Sequence, residues 1–383
     1  MKIRFDAPEL SKNLRIIRAI LPYAKSSPTD NLLGLGAQNG KLVAYGYSQG
    51  FWVRVVLDCP TVEPGVVYVD RKRFFALIDV LKGQVTIQPS KTTSHVEVIK
   101  PTGGKLTLST YNADIPRPRQ DQNVVTQVFA AAALRDQLHL NILDGELTGG
   151  GYKIIGDGNH LTMMASDRTR LVVTKSPSPV VIELSIHAGA IKGTFEMLKE
   201  AGDISISVQT SYHLTAVKIE NETQSIEHGF PNTTERFPNV APIIDVDDFP
   251  NAAHFEVGDL LDAFKQANAL AEEELPWGDF RFQTGTICKL ETSCKEGTAD
   301  LELDCPALIT QPETAILRLQ MPHLNMLLNK AKECGSAGVT CKWGKKLPVR
   351  WSFDWEEGAE RKFADIDLTY ITAALNRGAT QHA

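Results

Sequence analysis

Three stretches of this chain carry nearly the same apolar pattern. Leu10 and Leu14 return as Leu134 and Leu138, 124 residues on, and again as Leu260 and Phe264 after a further 126. A second set, Phe74, Ile78 and Leu81, returns as Ile191, Phe195 and Leu198 and then as Leu324, Leu328 and Ala331. The tetrapeptide Leu-Asp-Cys-Pro stands at 57–60 and again at 303–306. A period of this size implies tandem copies of one scaffold, with domains expected at 1–123, 124–250 and 251–383. Chemistry seldom needs three copies of a scaffold, whereas an arc, a ring or a pore does.

One copy shows what the scaffold is. The first third opens with a short strand at 2–5 and a helix over about 8–21, on which Leu10, Leu14, Ile17 and Leu21 share one arc. Lys12 and Arg15 fall on the opposite side, with Arg18 on the flank. Alternating runs punctuated by Asn-Gly and Ser-Gln-Gly follow, then a second helix over about 70–82 with Asp70 as its N-cap and Phe74, Leu77, Ile78 and Leu81 turned inward. Further strands are expected at 84–88, 95–99 and 105–109. The second third repeats this plan with helices near 130–143 and 188–201, the last with helices near 257–271 and 322–334. Proline-rich joints at 114–121 and around 236–250 predict extended, stiffened linkers. Two amphipathic helices on one face of antiparallel sheet make each unit α+β.

Composition narrows the function. With 43% hydrophobic and 22% charged residues the chain reads as an ordinary globular protein, and no run approaches the roughly 20 apolar residues of a membrane span. The opening Met-Lys-Ile-Arg-Phe-Asp lacks a signal-peptide core, which predicts a cytoplasmic protein without a membrane partner. The six cysteines do not match zinc-knuckle spacing and are expected as buried, reduced thiols. A net charge of −6 argues against binding nucleic acid by bulk attraction, although one basic face remains compatible with it.

An enzyme is not expected. The glycines from Gly34 to Gly40 lie between strands with no helix to follow, so a phosphate loop fails its context. The run Gly149-Gly150-Gly151 reads as a turn, and the nine histidines have no triad or metal spacing. No cofactor and no metal is expected.

The repeat resembles a known family. Helix-first units of this length in threefold array, together with Leu-Ser-Thr-Tyr at 108–111, Ser-Asp-Arg-Thr-Arg-Leu at 166–171 and Arg-Phe-Pro-Asn at 236–239, are similar to the beta subunit of bacterial DNA polymerase III, the sliding clamp. The resemblance implies three tandem clamp domains, closed into a ring as a head-to-tail homodimer around double-stranded DNA. It also implies a processivity role with a DNA polymerase and a clamp loader as partners. DNA-facing residues would be Lys12, Arg15, Arg18, Arg71, Lys72 and Arg73, with Lys192, Lys199 and Lys265 further round. The first helix of the second third offers Arg135 but also Asp136, a poorly charged face. The ring interface would set Leu106 and Leu108 against Ala269 and Leu270. A pocket for a partner's short apolar peptide would be built from Ser166, Arg168, Thr169, Arg170, Leu171, Pro238, Pro242 and Ile243. The family's Met-Pro tail is replaced here by Asp-Leu-Thr-Tyr-Ile-Thr at 367–372 and a polar end, so the alternative is a clamp-like regulator or decoy with altered partner binding.

Overall fold

The computed structural model of the chain describes residues 1–21, 29–48, 50–90, 94–100, 102–112, 124–141, 151–167, 169–186, 203–210, 214–220, 224–231, 237, 239–270, 275–283, 285–295, 297–345, 347–354 and 366–372. By their contacts the residues divide into two compact units, Met1–His139 with Val180–Arg236, and Leu140–Pro179 with Phe237–Ala383. The middle third is shared between them because its strands extend sheets begun in both flanking thirds.

In the first unit a five-stranded antiparallel sheet runs in the order Thr61–Glu63, Lys2–Asp6, Gln84–Pro89, His95–Ile99, Lys105–Ser109. An eight-stranded sheet runs Val124–Ala130, Asp203–Thr210, Leu214–Glu220, Gln224–Pro231, Phe51–Asp58, Lys41–Ser48, Leu32–Gln38, Gly65–Asp70. Leu32–Gln38 turns back through Asn39 and Gly40, both left-handed at φ 51° and 73°. This is the two-residue turn whose twist suits a hairpin, and it leaves no helix start to cradle a phosphate.

Helix α1 (Ala7–Ile20) starts where the sequence places it. Asp6 caps it by accepting from the Glu9 N–H at 3.2 Å, and Pro8 sits in the first turn, where a missing donor costs nothing. Leu10, Leu14, Ile16, Ile17 and Ile20 are buried against the strands Lys41–Ser48 and Phe51–Asp58. Helix α2 (Arg71–Val80) packs on α1; Asp70 caps it through the Arg73 N–H at 2.8 Å, and Phe74, Phe75 and Ile78 are buried. Each such side chain contributes about 1.5–3 kcal/mol on burial, so packing rather than propensity holds these short helices. Helix α3 (Ala131–Asn141) lies in the middle third. The helix expected at 188–201 and the joint at 114–121 lie outside the described residues. Pro242 departs from the extended linker expected there: it opens a single helical turn, Ala241–Ile244, where proline's fixed φ suits the first positions.

The second unit is built on one antiparallel run of strands. Its order is Gly151–Asp157, His160–Ser166, Arg170–Pro177, Asp367–Thr372, Val349–Asp354, Gly338–Trp343, Asn251–Glu256, Thr298–Ile309, Gly285–Ser293, Trp277–Phe282, Ile316–Gln320. Helices α4 (Val257–Asn268) and α5 (Met321–Cys334) pair on it, and Gly335 at φ 79° closes α5 with its N–H on the Ala331 carbonyl. The core beneath is aromatic, with Phe255 and Phe280 centroids 6.1 Å apart and Phe282 and Trp343 4.5 Å apart. Five of the six free cysteines are buried, and burial raises the thiols of Cys59 and Cys341 above their ordinary value. Their burial agrees with the expectation from the sequence.

Two strand pairings recur between neighbouring thirds. In the first unit Phe51–Asp58 pairs with Gln224–Pro231, from Leu57 opposite Gln224 to Trp52 opposite Gly229. In the second Arg170–Pro177 pairs with Asp367–Thr372, from Arg170 opposite Thr372 to Lys175 opposite Asp367. The corresponding strand of the last third, Thr298–Ile309, pairs with Gly285–Ser293 and, through Ala307–Ile309, with Asn251–Glu256. Along Thr298–Asp304 its second side has no strand partner among the described residues. Lys105–Ser109 likewise stands at the outer edge of the five-stranded sheet.

Candidate nucleic-acid interface and docking patch

The α1–α2 pair presents a basic exposed face. Arg15, Arg18, Lys72 and Arg73 are exposed and Lys12 is half-buried. Arg71 is different: it is only 3% exposed, because positions 71, 74, 75 and 78 form the stripe of α2 that packs inward. As a surface cation it is therefore corrected out of the expected set.

Arg18 is engaged. Its two terminal nitrogens donate to the two carboxylate oxygens of Asp79, each at 2.8 Å, and its guanidinium lies 4.5 Å over the Phe75 ring. The Ser11 hydroxyl donates to the same carboxylate. Hydrogen bonds from Arg18, aided by Ser11, hold the Asp79 carboxyl below the usual carboxylate range. Sequence reasoning counted cations and passed over Asp79. The signal was present, since Lys72, Ala76 and Asp79 fall on one stripe of α2.

The other first helices are more nearly balanced. On α3 Arg135 meets Asp136 at 3.3 Å, and on α4 Lys265 meets Asp262 at 2.7 Å, with exposed Asp259 one turn earlier. Lys192 and Lys199 lie outside the described residues.

An apolar patch forms in the second unit where Arg170–Pro177 pairs with Asp367–Thr372. Met164, Leu171, Val240 and Ile371 are buried together, with Ile155, Val173, Phe237, Ile243 and Ile244 half-buried around them. Beside it, the turn before Arg170 is tightly bonded. Asp167 accepts from the backbone N–H groups of Thr169 and Arg170 at 3.0 and 2.7 Å, from the Thr169 hydroxyl at 2.8 Å and from Arg170 Nε at 2.6 Å. Burial pushes the Asp167 carboxyl upward, but the Thr169 hydroxyl and the Arg170 charge outweigh it and leave a lowered value. Arg170 Nη1 also reaches the Met326 sulfur at 3.3 Å. On the same helix, burial and the Arg170 charge lower His323 to about 4.

The expected pocket residues fall in several places. Ser166, Arg170 and Leu171 are buried here, Ile243 is half-buried, and Thr169 and Pro242 are exposed. Arg168 and Pro238 lie outside the described residues. The sequence did not point to Met164, Val240, His323 or Met326, and it gave Asp167 and Ile371 only as members of the stretches 166–171 and 367–372, without a role in the pocket. Leu171 meets Ile371 through a pairing between strands some two hundred residues apart, and Arg170 reaches Met326 on a helix 156 residues further along. Of the expected interface residues, Leu106 and Leu108 are half-buried on the edge strand Lys105–Ser109, and Ala269 and Leu270 are exposed at the end of α4.

No protein-family model matches this sequence, and no curated protein does. Solved structures match along nearly its whole length. The DNA polymerase III beta subunit from Thermotoga maritima superposes with a TM-score of 0.76 at 13% identity, covering 98% of this chain and 99% of its own. This chain has the clamp fold. The DNA polymerase sliding clamp from Caulobacter crescentus gives 0.74 at 14% identity with 98% and 99% covered, and the beta subunit from Pseudomonas aeruginosa 0.71 at 14% with 98% and 100% covered. Among the described residues no helix is long and apolar enough to cross a membrane.

Proposed function

We propose that the protein is a sliding clamp: a non-catalytic ring of two head-to-tail copies that encircles duplex DNA without reading its sequence and tethers replication partners. The observation that carries this reading is the strand bookkeeping at the junctions. Taken as three domains, the chain joins the first to the second by pairing Phe51–Asp58 with Gln224–Pro231. It joins the second to the third by pairing Arg170–Pro177 with Asp367–Thr372. Among the described residues equivalent strands remain open at the two ends, Thr298–Asp304 in the last domain and Lys105–Ser109 in the first. A second copy satisfies both, since a heterologous contact repeated twice closes a ring and removes both edges. Asp300, Glu302 and Asp304 are exposed on one edge and Lys105 on the other, where Lys105 already pairs with Glu97 and Glu302 with Lys289.

The exposed cations Arg15, Lys72 and Arg73, with Lys12, would line the hole and contact phosphates only, as sliding requires. The patch around Leu171 and Ile371 would take a short apolar segment of a polymerase or clamp loader. The fold relatives are themselves described as DNA polymerase subunits and sliding clamps, which supports the same reading.

The test is topological. Protein reassembled in the presence of nicked circular DNA is expected to stay with the circles through gel filtration and to leave when the DNA is cut once. Equal retention on linear and circular DNA would overturn the ring.

A further inference from the structure

We propose that Asp79 is a positioning residue that holds Arg18 against α2 and withholds its charge from the duplex, so that the basic face makes one fewer phosphate contact than its cations would allow. This rests on the reading of that face as the wall of the DNA channel.

Three constraints act on the one guanidinium. Two 2.8 Å hydrogen bonds fix its plane to the carboxylate, the Phe75 ring lies 4.5 Å beneath it, and Ser11 anchors the carboxylate from α1 itself. A planar fork bonded twice and stacked has lost the freedom that a phosphate-tracking side chain needs. Arg15, one turn earlier on the same helix, forms no ion pair among the described residues. Neighbouring cations on one helix thus differ: Arg18 is bonded to Asp79, whereas Arg15 acts on the same carboxylate through its charge alone. The pairs Lys265–Asp262 at 2.7 Å and Arg135–Asp136 at 3.3 Å repeat the theme on the other two first helices. A sliding ring gains from such ties, because every fixed phosphate contact must be broken for the ring to move.

The experiment measures binding to nicked circular DNA from about 50 to about 200 mM salt for the wild type, Asp79→Asn, Arg18→Gln and the double variant. Each phosphate contact adds about 0.9 to the logarithmic salt slope, so one released arginine adds about 3.5-fold to the affinity lost over that range. Asp79→Asn is expected to bind more tightly at low salt with that steeper slope, Asp79→Glu to behave as wild type, and Arg18→Gln to leave the slope unchanged. An unchanged slope in Asp79→Asn would overturn the proposal. So would the same steepening in the double variant, which would mark a through-space charge effect rather than a released Arg18. Arg15→Glu serves as the control: if it fails to weaken binding, the channel-wall reading itself is overturned, and that outcome is distinct from either of the others. Both partners of the ion pair are exposed, with side chains 40% and 36% accessible, so the variants are expected to fold.

Discussion

Leu171 lies directly opposite Ile371 in an antiparallel strand pair, and both side chains are buried in the same apolar patch. The last described strand of the chain therefore forms part of the wall beside the Asp167–Arg170 turn. Truncating either residue to alanine should cost about 2–4 kcal/mol, and the double variant should cost less than the sum because the two share one cluster. Urea denaturation of the three variants checks this, and strict additivity would show that the two side chains are not coupled.

Leu270, 43% exposed at the end of α4, is expected at the seam between copies. Leu270→Asp should leave the fold intact and shift the mass from twice 42.1 kDa toward 42.1 kDa, since a charge desolvated in an apolar contact is costly. Sedimentation equilibrium decides it, and a dimer as stable as wild type would remove Leu270 from the interface.

Arg15 is exposed on α1 and meets Asp79 through charge alone, with no ion pair among the described residues. Arg15→Glu should lower the salt slope of binding to circular DNA by about one and shorten retention, with the far-ultraviolet circular dichroism unchanged. A slope equal to wild type would place Arg15 away from the phosphates.

His323 carries a pH dependence. Its folded value of about 4 lies below the ordinary imidazole value near 6.5, so the folded state prefers the neutral ring. The unfolded chain takes up a proton first as pH falls. The stability tied to this group is therefore complete above about 6.5 and drains away between there and about 4. His323→Asn should flatten the decline in thermal midpoint across that window, and an identical decline in both proteins would show that His323 does not set it.

What was legible in the sequence followed local periodicity. Helices α1, α2, α4 and α5 came from apolar positions at helical spacing, and Asp70 as a cap came from its place before Phe74. The same arithmetic, taken further, would have turned Arg71 inward, because it shares a stripe with Phe75 and Ile78. Ion pairs such as Arg18–Asp79 join helices 61 residues apart, and the patch joins Leu171 to Ile371 across the chain. Neither lies within the reach of a pattern of three or four residues. Register between distant strands is set by the whole sheet, which is why the open edges became visible only when each strand was given its neighbours.

The strand Thr298–Ile309 has a mechanical consequence. Among the described residues one end of it, Thr298–Asp304, has a strand partner on one side only, Gly285–Ser293, while the other end is also stitched at Ala307–Ile309 to Asn251–Ala253. Asn251 is in turn fixed by the Thr314 hydroxyl, which it meets at 2.6 Å, and by the backbone N–H groups of Thr310 and Gln311, each 3.0 Å away. A tug on that end meets the ladder to Gly285–Ser293 first and then, along the covalent backbone, the bonds at Asn251. Anything gripping this edge pulls against a moored cable rather than a loose ribbon.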